Sequence, residues 1–170
     1  SALTFGGTDA PGVSALTEKY NGTAWAEVND MNAVKRDVGG VGASDTSALA
    51  FGGGPSPLDL TELWDGTSWT EVNDMNTARN SLTGAGTATA ALAFGGSVPG
   101  ASAVTESWNG TNWTTVNSLN TARYGLGGAG TNTAALAFGG YTTTALSNTE
   151  SWNGSNWTEL NDLNQVRYGI

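Results

Sequence analysis

Four glutamates recur at one interval: Glu18, Glu62, Glu106 and Glu150, each 44 residues after the last. Four arginines keep a similar beat, Arg36, Arg79, Arg123 and Arg167, at intervals of 43, 44 and 44. Such groups can do two kinds of chemistry. A carboxylate in a cleft can act as a general acid or base. A carboxylate facing a guanidinium in a dry interface holds two elements together. Recurrence in every copy favours the second, because a single active site needs one copy to differ. Glu106 stands two residues before Trp108, hence on the same face of a strand, and Arg123 opens the following unit. A Glu–Arg pair between successive units is the expectation. The carboxylates present in one unit only, Asp37 and Asp45, are the candidates for an alternative: a hydrolase or lyase acting on polysaccharide.

Metal chemistry has little to work with. The chain has no His and no Cys, which removes the usual zinc ligands. Asp30, Asp74 and Asp162 could offer oxygens to calcium, but the third unit has Ser118 there, and the Asn before each reads more simply as a turn former. No metal and no other cofactor is expected. Glycine pairs that might cradle a phosphate need a helix N-terminus behind them, and no amphipathic helical window is present. They are read as crowded or turning backbone.

The aromatic residues keep the same period. Trp25, Trp69, Trp113 and Trp157 are spaced 44 apart, and Phe5, Phe51, Phe94 and Phe138 each precede Gly-Gly. Tyr20, Trp64, Trp108 and Trp152 form a third set. A repeat of this length implies a solenoid, a propeller or an array. Within it, Ala-Leu-Ala-Phe (91–94, 135–138) alternates large and small at the strand period. Thr-Glu-Ser-Trp and Asn-Trp-Thr are rich in strand-favouring residues. Asn21-Gly22, Asp65-Gly66, Asn109-Gly110 and Asn153-Gly154 lie between the two aromatic positions, where such dipeptides accept the positive φ of a tight hairpin. Each unit therefore reads as four strands, in the last copy about 123–130 (its leading strand), 134–140, 148–153 and 156–160. The Trp rings fall on the outer two, where radial sheets diverge, and are read as core in preference to a sugar-stacking platform. Each burial contributes on the order of 4–6 kcal/mol at most. The sequons at Asn21, Asn109, Asn112, Asn153 and Asn156 coincide with these turns, and turn chemistry accounts for them without glycans.

Four-stranded units too thin to bury both faces must stack, and radial stacking makes a β-propeller. The order Arg, Gly-Gly, aromatic, Trp resembles the kelch repeat across essentially the whole chain. The resemblance implies an all-β fold, a β-propeller of four kelch-like four-stranded blades per chain, at about 1–30, 35–74, 78–118 and 122–162. Residues 165–170 are expected to close the seam on 1–7, within one chain or between two chains as an eight-bladed homodimer. Kelch propellers also include copper oxidases of the galactose-oxidase type, whose site needs His and Cys as well as Tyr, so that activity is not expected.

Composition narrows the partners. The net charge is −9 and only 12% of residues are charged, which argues against nucleic acid, whose phosphates demand a basic surface, and against an anionic membrane. The absence of cysteine means that no disulfide scaffold is needed, and the missing initial Met suggests a processed chain or an excised segment. The Thr/Asn/Gly-rich texture resembles phage and environmental repeat proteins, which points to an extracellular or virion-associated setting. All four prolines lie in the loops between the second and third strands, the most variable segments of the repeat. Variable loops on a rigid frame are where recognition sits. Asp9, Pro11, Asp59, Pro99, Tyr141 and Leu146 are therefore the candidate ligand-binding residues of a non-catalytic module for a protein or cell-surface glycan. The alternative is a purely architectural or designed repeat with no ligand.

Overall fold

The computed structural model describes residues 1–9 and 12–170. Among these described residues the regular elements are fifteen strands in four antiparallel sheets. Sheet 1 holds β1 (Ala2–Phe5), β2 (Thr17–Tyr20) and β3 (Trp25–Glu27). Sheet 2 holds β4 (Gly39–Ser44), β5 (Ser47–Phe51), β6 (Thr61–Trp64) and β7 (Trp69–Val72). Sheet 3 holds β8 (Thr83–Thr87), β9 (Ala90–Phe94), β10 (Thr105–Trp108) and β11 (Trp113–Val116). Sheet 4 holds β12 (Gly127–Gly130), β13 (Ala135–Phe138), β14 (Thr149–Trp152) and β15 (Trp157–Glu159). Strands follow one another in sequence order within each sheet, as blades of a propeller do. Sheet 1 has three strands because it lacks an inner one.

The core lies between sheets, in three apolar layers. Alternation assigns the faces. On β6, Thr61 and Leu63 face sheet 3, while Glu62 and Trp64 face sheet 1. Each layer repeats one aromatic contact: Phe5 on Trp69, Phe51 on Trp113 and Phe94 on Trp157, edge to face at 4.9–5.2 Å. The same three indoles donate to Thr17, Thr61 and Thr105 hydroxyls of the preceding sheet at 2.9–3.0 Å. Trp64, Trp108 and Trp152 instead donate to carbonyls in the turn between their own sheet's first two strands. Six of the seven tryptophans are buried; Trp25 is half exposed.

Inner strands are glycine-rich because the phenylalanine rings occupy their side-chain space. A Cβ on Gly84 would stand 2.7 Å from the Phe51 ring, and one on Gly128 would stand 2.8 Å from Phe94. The hairpins between the last two strands differ from the expected tight turn. Only the glycine takes positive φ. The residue before it acts through its side chain: Asn153 Oδ1 accepts from the N–H groups of Ser155 and Asn156, both at 2.9 Å. Asp65 does the same in sheet 2, and those two donors hold its carboxyl below the usual range. An Asx loop needs only an acceptor there.

Ion pairs cross every junction between sheets, with one correction to the sequence reading. Arg79 meets Glu106 and Arg123 meets Glu150, each at 3.1 Å, with side chains at most 1% exposed. The first junction uses Lys35, not Arg36: Lys35 Nζ lies 3.1 Å from Glu62 Oε1 and is equally buried. Positions 35, 79, 123 and 167 keep the period of 44 without slippage, whereas Arg36 is exposed. None of these cations opens a strand. Each lies in the linker before one, its backbone bonded to the preceding sheet and its side chain reaching into the next; Arg123 N–H, for example, donates to Ser102. Further hydrogen bonds meet most of the remaining polar atoms, the Nε of Arg79 and of Arg123 excepted among the described residues. Arg79 donates to the carbonyls of Gly95 and Val104, and Glu106 Oε2 accepts from the backbone and side-chain amides of Asn76. Burial lowers the pKa of both guanidiniums, and the facing glutamates oppose it.

Within the single chain the expected seam is not formed among the described residues. Residues 165–170 stay on sheet 4, where Arg167 N–H donates to Leu146 and its carbonyl accepts from Gly140. No strand pairing joins them to residues 1–7 among the described residues. The reason is that every linker binds its own sheet first, as Lys35 does with Ser14 and Gly7. Glu18 and Arg167 are consequently both exposed and outside any ion pair among the described residues.

Truncating Lys35, Arg79 or Arg123 to alanine leaves a buried glutamate without its cation and should cost about 3–5 kcal/mol. Arg36→Ala, at an exposed site, should stay within about 0.5 kcal/mol. Urea unfolding of the four variants checks both, and equal losses for Lys35→Ala and Arg36→Ala would contradict the assignment. Gly84→Ala should destabilise by roughly 1–3 kcal/mol through overpacking against Phe51, read in the same assay.

Candidate functional site

Strand directions alternate, so two kinds of connection emerge on each face. Isolated bridges Arg36–Gly54, Asn80–Ser97 and Tyr124–Tyr141 set each linker beside the loop between its next sheet's second and third strands. The opposite face carries the short turns, with Gly66 against Thr46 and Gly154 against Thr133. The first face is the variable one.

At its centre the linkers converge. Asp37, Ser81, Gly125 and Gly169 take the same left-handed conformation, with φ of 52°, 52°, 59° and 68°. They are joined in a chain: Ser81 N–H donates to Asp37 O (2.9 Å), Gly125 N–H to Ser81 O (2.8 Å) and Gly169 N–H to Gly125 O (2.7 Å). Aspartate and serine at such φ carry strain that glycine avoids. Around this chain lies a cavity of about 470 Å³, walled by the residues on either side, among them Tyr124, Leu126, Tyr168 and Ile170.

Tyr141 is where the sequence reading and the structure meet. Its ring lies 5.5 Å from Tyr124 and 5.0 Å from Tyr168, both of which line the cavity. The three come from one loop and two linkers, positions 124 and 168 being one period apart. Tyr168 is 60% exposed, while Tyr124 and Tyr141 are half-buried. In the other two copies that linker position holds Arg36 and Asn80. The signal was present, as a repeat position that changes type, but sequence distance hid the meeting of the rings.

The other loop residues are not brought to this cluster. Leu146 shares Tyr141's loop and braces it, its N–H donating to Gly140 and its carbonyl accepting from Arg167. Asp9 is exposed and its N–H donates to Gly12; Asp59 uses its backbone carbonyl to accept from Met75; Pro99 is exposed at a loop tip. These three stand on different sheets, with no hydrogen bond or ion pair between them among the described residues. Pro11 lies outside the described residues.

The acidic candidates are engaged elsewhere. Asp30 and Asp74 accept from the backbone of Thr17 and Thr61, and Asp162 accepts from the Ser147 hydroxyl. Each therefore braces its own sheet. Asp45 bonds Lys19 and Ser1, both at 2.8 Å, on the turn face. Asp37 does line the cavity, 3.9 Å from Arg36. The site thus combines one carboxylate, one hydroxyl-bearing serine, three tyrosine rings and a run of backbone amides.

No protein-family model matches the chain, and no curated protein sequence matches it.

The Lys19 hydrogen bond, followed by that of Ser1, holds the Asp45 carboxyl below its ordinary value of 3.8. A lowered carboxylate pKa favours the ionised form in the fold, so the contact is complete above that ordinary value and is lost as pH falls through the lowered one. The carboxyl carbon shift of Asp45 should accordingly titrate below 3.8, and Lys19→Ala should move its midpoint up.

Proposed function

We propose that the chain is a kelch-like β-propeller segment serving as a non-catalytic binding module, and that its loop face takes a neutral glycan. The carrying observation is the tyrosine cluster at the mouth of the central cavity. Tyrosine offers an apolar ring and a hydroxyl at low entropic cost, and sugars present both C–H faces and hydroxyls. Exposed Tyr168 supplies a ring face, while the hydroxyls and Asp37 offer hydrogen-bonding groups around a cavity of suitable size. In this mouth the backbone conformation and one aliphatic position (Val38, Leu82, Leu126, Ile170) repeat in all four copies, while the polar and aromatic side chains differ, which fits a site selected for recognition. The interfaces between sheets, by contrast, repeat nearly unchanged. An extracellular or virion-associated setting suits a glycan target.

The architectural reading, a repeat without a ligand, draws on the same three near-identical junctions. A glycan array probed with the chain separates the two. Binding above background, lost roughly tenfold or more on Tyr141→Ala or Tyr168→Ala with unchanged circular dichroism, is the expected result. A blank array supports the architectural reading, and retained affinity in both variants removes the tyrosine cluster as the site.

A further inference from the structure

The three internal junctions define what a complete interface needs, and the two ends of the sheet stack each carry half of one. On the leading face of sheet 4, Thr149 Oγ1 is buried without a hydrogen-bond partner among the described residues. Its counterparts Thr17, Thr61 and Thr105 all accept from an indole of the next sheet. Leu136 beside it is 40% exposed, although its counterparts Leu49 and Leu92 are fully buried. Arg167 projects from the linker at the position where Arg79 and Arg123 enter the next sheet. A groove of about 340 Å³, lined on this face by Ala129, Leu136 and Ser151, opens beside it.

The trailing face of sheet 1 carries the missing groups. Trp25 is the counterpart of Trp69, Trp113 and Trp157, and half its surface is exposed. Glu18 is the counterpart of Glu62, Glu106 and Glu150 and is exposed. Tyr20 packs on Trp25 at 5.2 Å, so the indole is already held in place. One face thus offers a cation, an acceptor without a donor and bare leucine. The other offers an anion, an indole donor and an aromatic surface.

We infer that the leading face of sheet 4 docks the trailing face of sheet 1 of a second copy of this chain. Arg167 of one copy then pairs with Glu18 of the other, and Trp25 donates to Thr149. The named pairs come from the linker and from the second to fourth strands, all of which sheet 1 possesses. The inner strand that also meets the preceding sheet at the internal junctions, as Gly84 meets Phe51, has no counterpart in sheet 1, so this junction is the smaller one. It is heterologous, and so closes into a ring if two copies complete the rotation and otherwise extends. The inference stands apart from the loop-face reading, because none of its residues lines the central cavity.

Sedimentation equilibrium of the 170-residue chain over a dilution series tests it. The expected mass is twice 17.3 kDa or an open-ended series built on that unit, falling back on dilution. Arg167→Glu and Glu18→Arg should each weaken association roughly tenfold or more, the effect of leaving a buried charge without its partner. Mixing the two variants should restore it, since each junction regains an opposite pair. Both side chains are exposed in the single chain, so the variants should fold, which circular dichroism checks. A blue shift of tryptophan emission on association should vanish in Trp25→Phe. A mass of 17.3 kDa at every concentration overturns the inference, as does association that both charge reversals leave unchanged.

Discussion

One buried ion pair per junction holds this molecule in register. Apolar layers between sheets supply most of the attraction, but burial is non-directional and would tolerate a sheet sliding or rotating on its neighbour. A cation at zero exposure does not tolerate it. Arg79 is held by Glu106, Gly95 and Val104 together, only its Nε finding no partner among the described residues, and those three groups converge at one relative placement of sheets 2 and 3. A shift of a few ångströms would strand two charges in a dry interface, a cost of several kcal/mol for each ion. The pair is better understood as a specifier of geometry than as a source of net stability.

That frame separates two classes of position. Residues that face a neighbouring sheet repeat, because each interface poses the same packing problem. Residues on the linkers and loops are released from it. Position 37 and its equivalents show the separation within one residue: the backbone is left-handed in all four, while the side chains run from aspartate to serine to glycine. Recognition can vary there without disturbing the stack. The Asx loops on the opposite face make the converse point, since asparagine and aspartate are interchangeable where only an acceptor oxygen is required.

Particular residues show how far pattern alone carries. Strand type, sheet count and the Glu–cation link follow from alternation and a period of 44, both of which are local or one-dimensional. Lys35 shows the limit. Matching residue types aligned Arg36 with Arg79, but the slot is defined by backbone spacing and by a cavity that accepts any long cation. Lysine fills it one residue earlier, bonding Leu60 and Glu62. Trp25 is a second case. Its strand position matches three buried tryptophans, yet burial depends on a facing sheet that its sequence neighbourhood does not describe.

The amino-acid order by itself determined that this chain makes equivalent antiparallel sheets, which residues face inward, and where turns fall. Those properties depend on spacing within a few residues and on a repeat length, both readable without coordinates. Tertiary structure alone decided that Tyr124, Tyr141 and Tyr168 meet, that the final linker stays on its own sheet, and that Glu18 and Arg167 end on opposite faces, outside any ion pair among the described residues. Such relations depend on the rotation between sheets. That rotation is set jointly by every buried contact across the junctions, and no single segment encodes it.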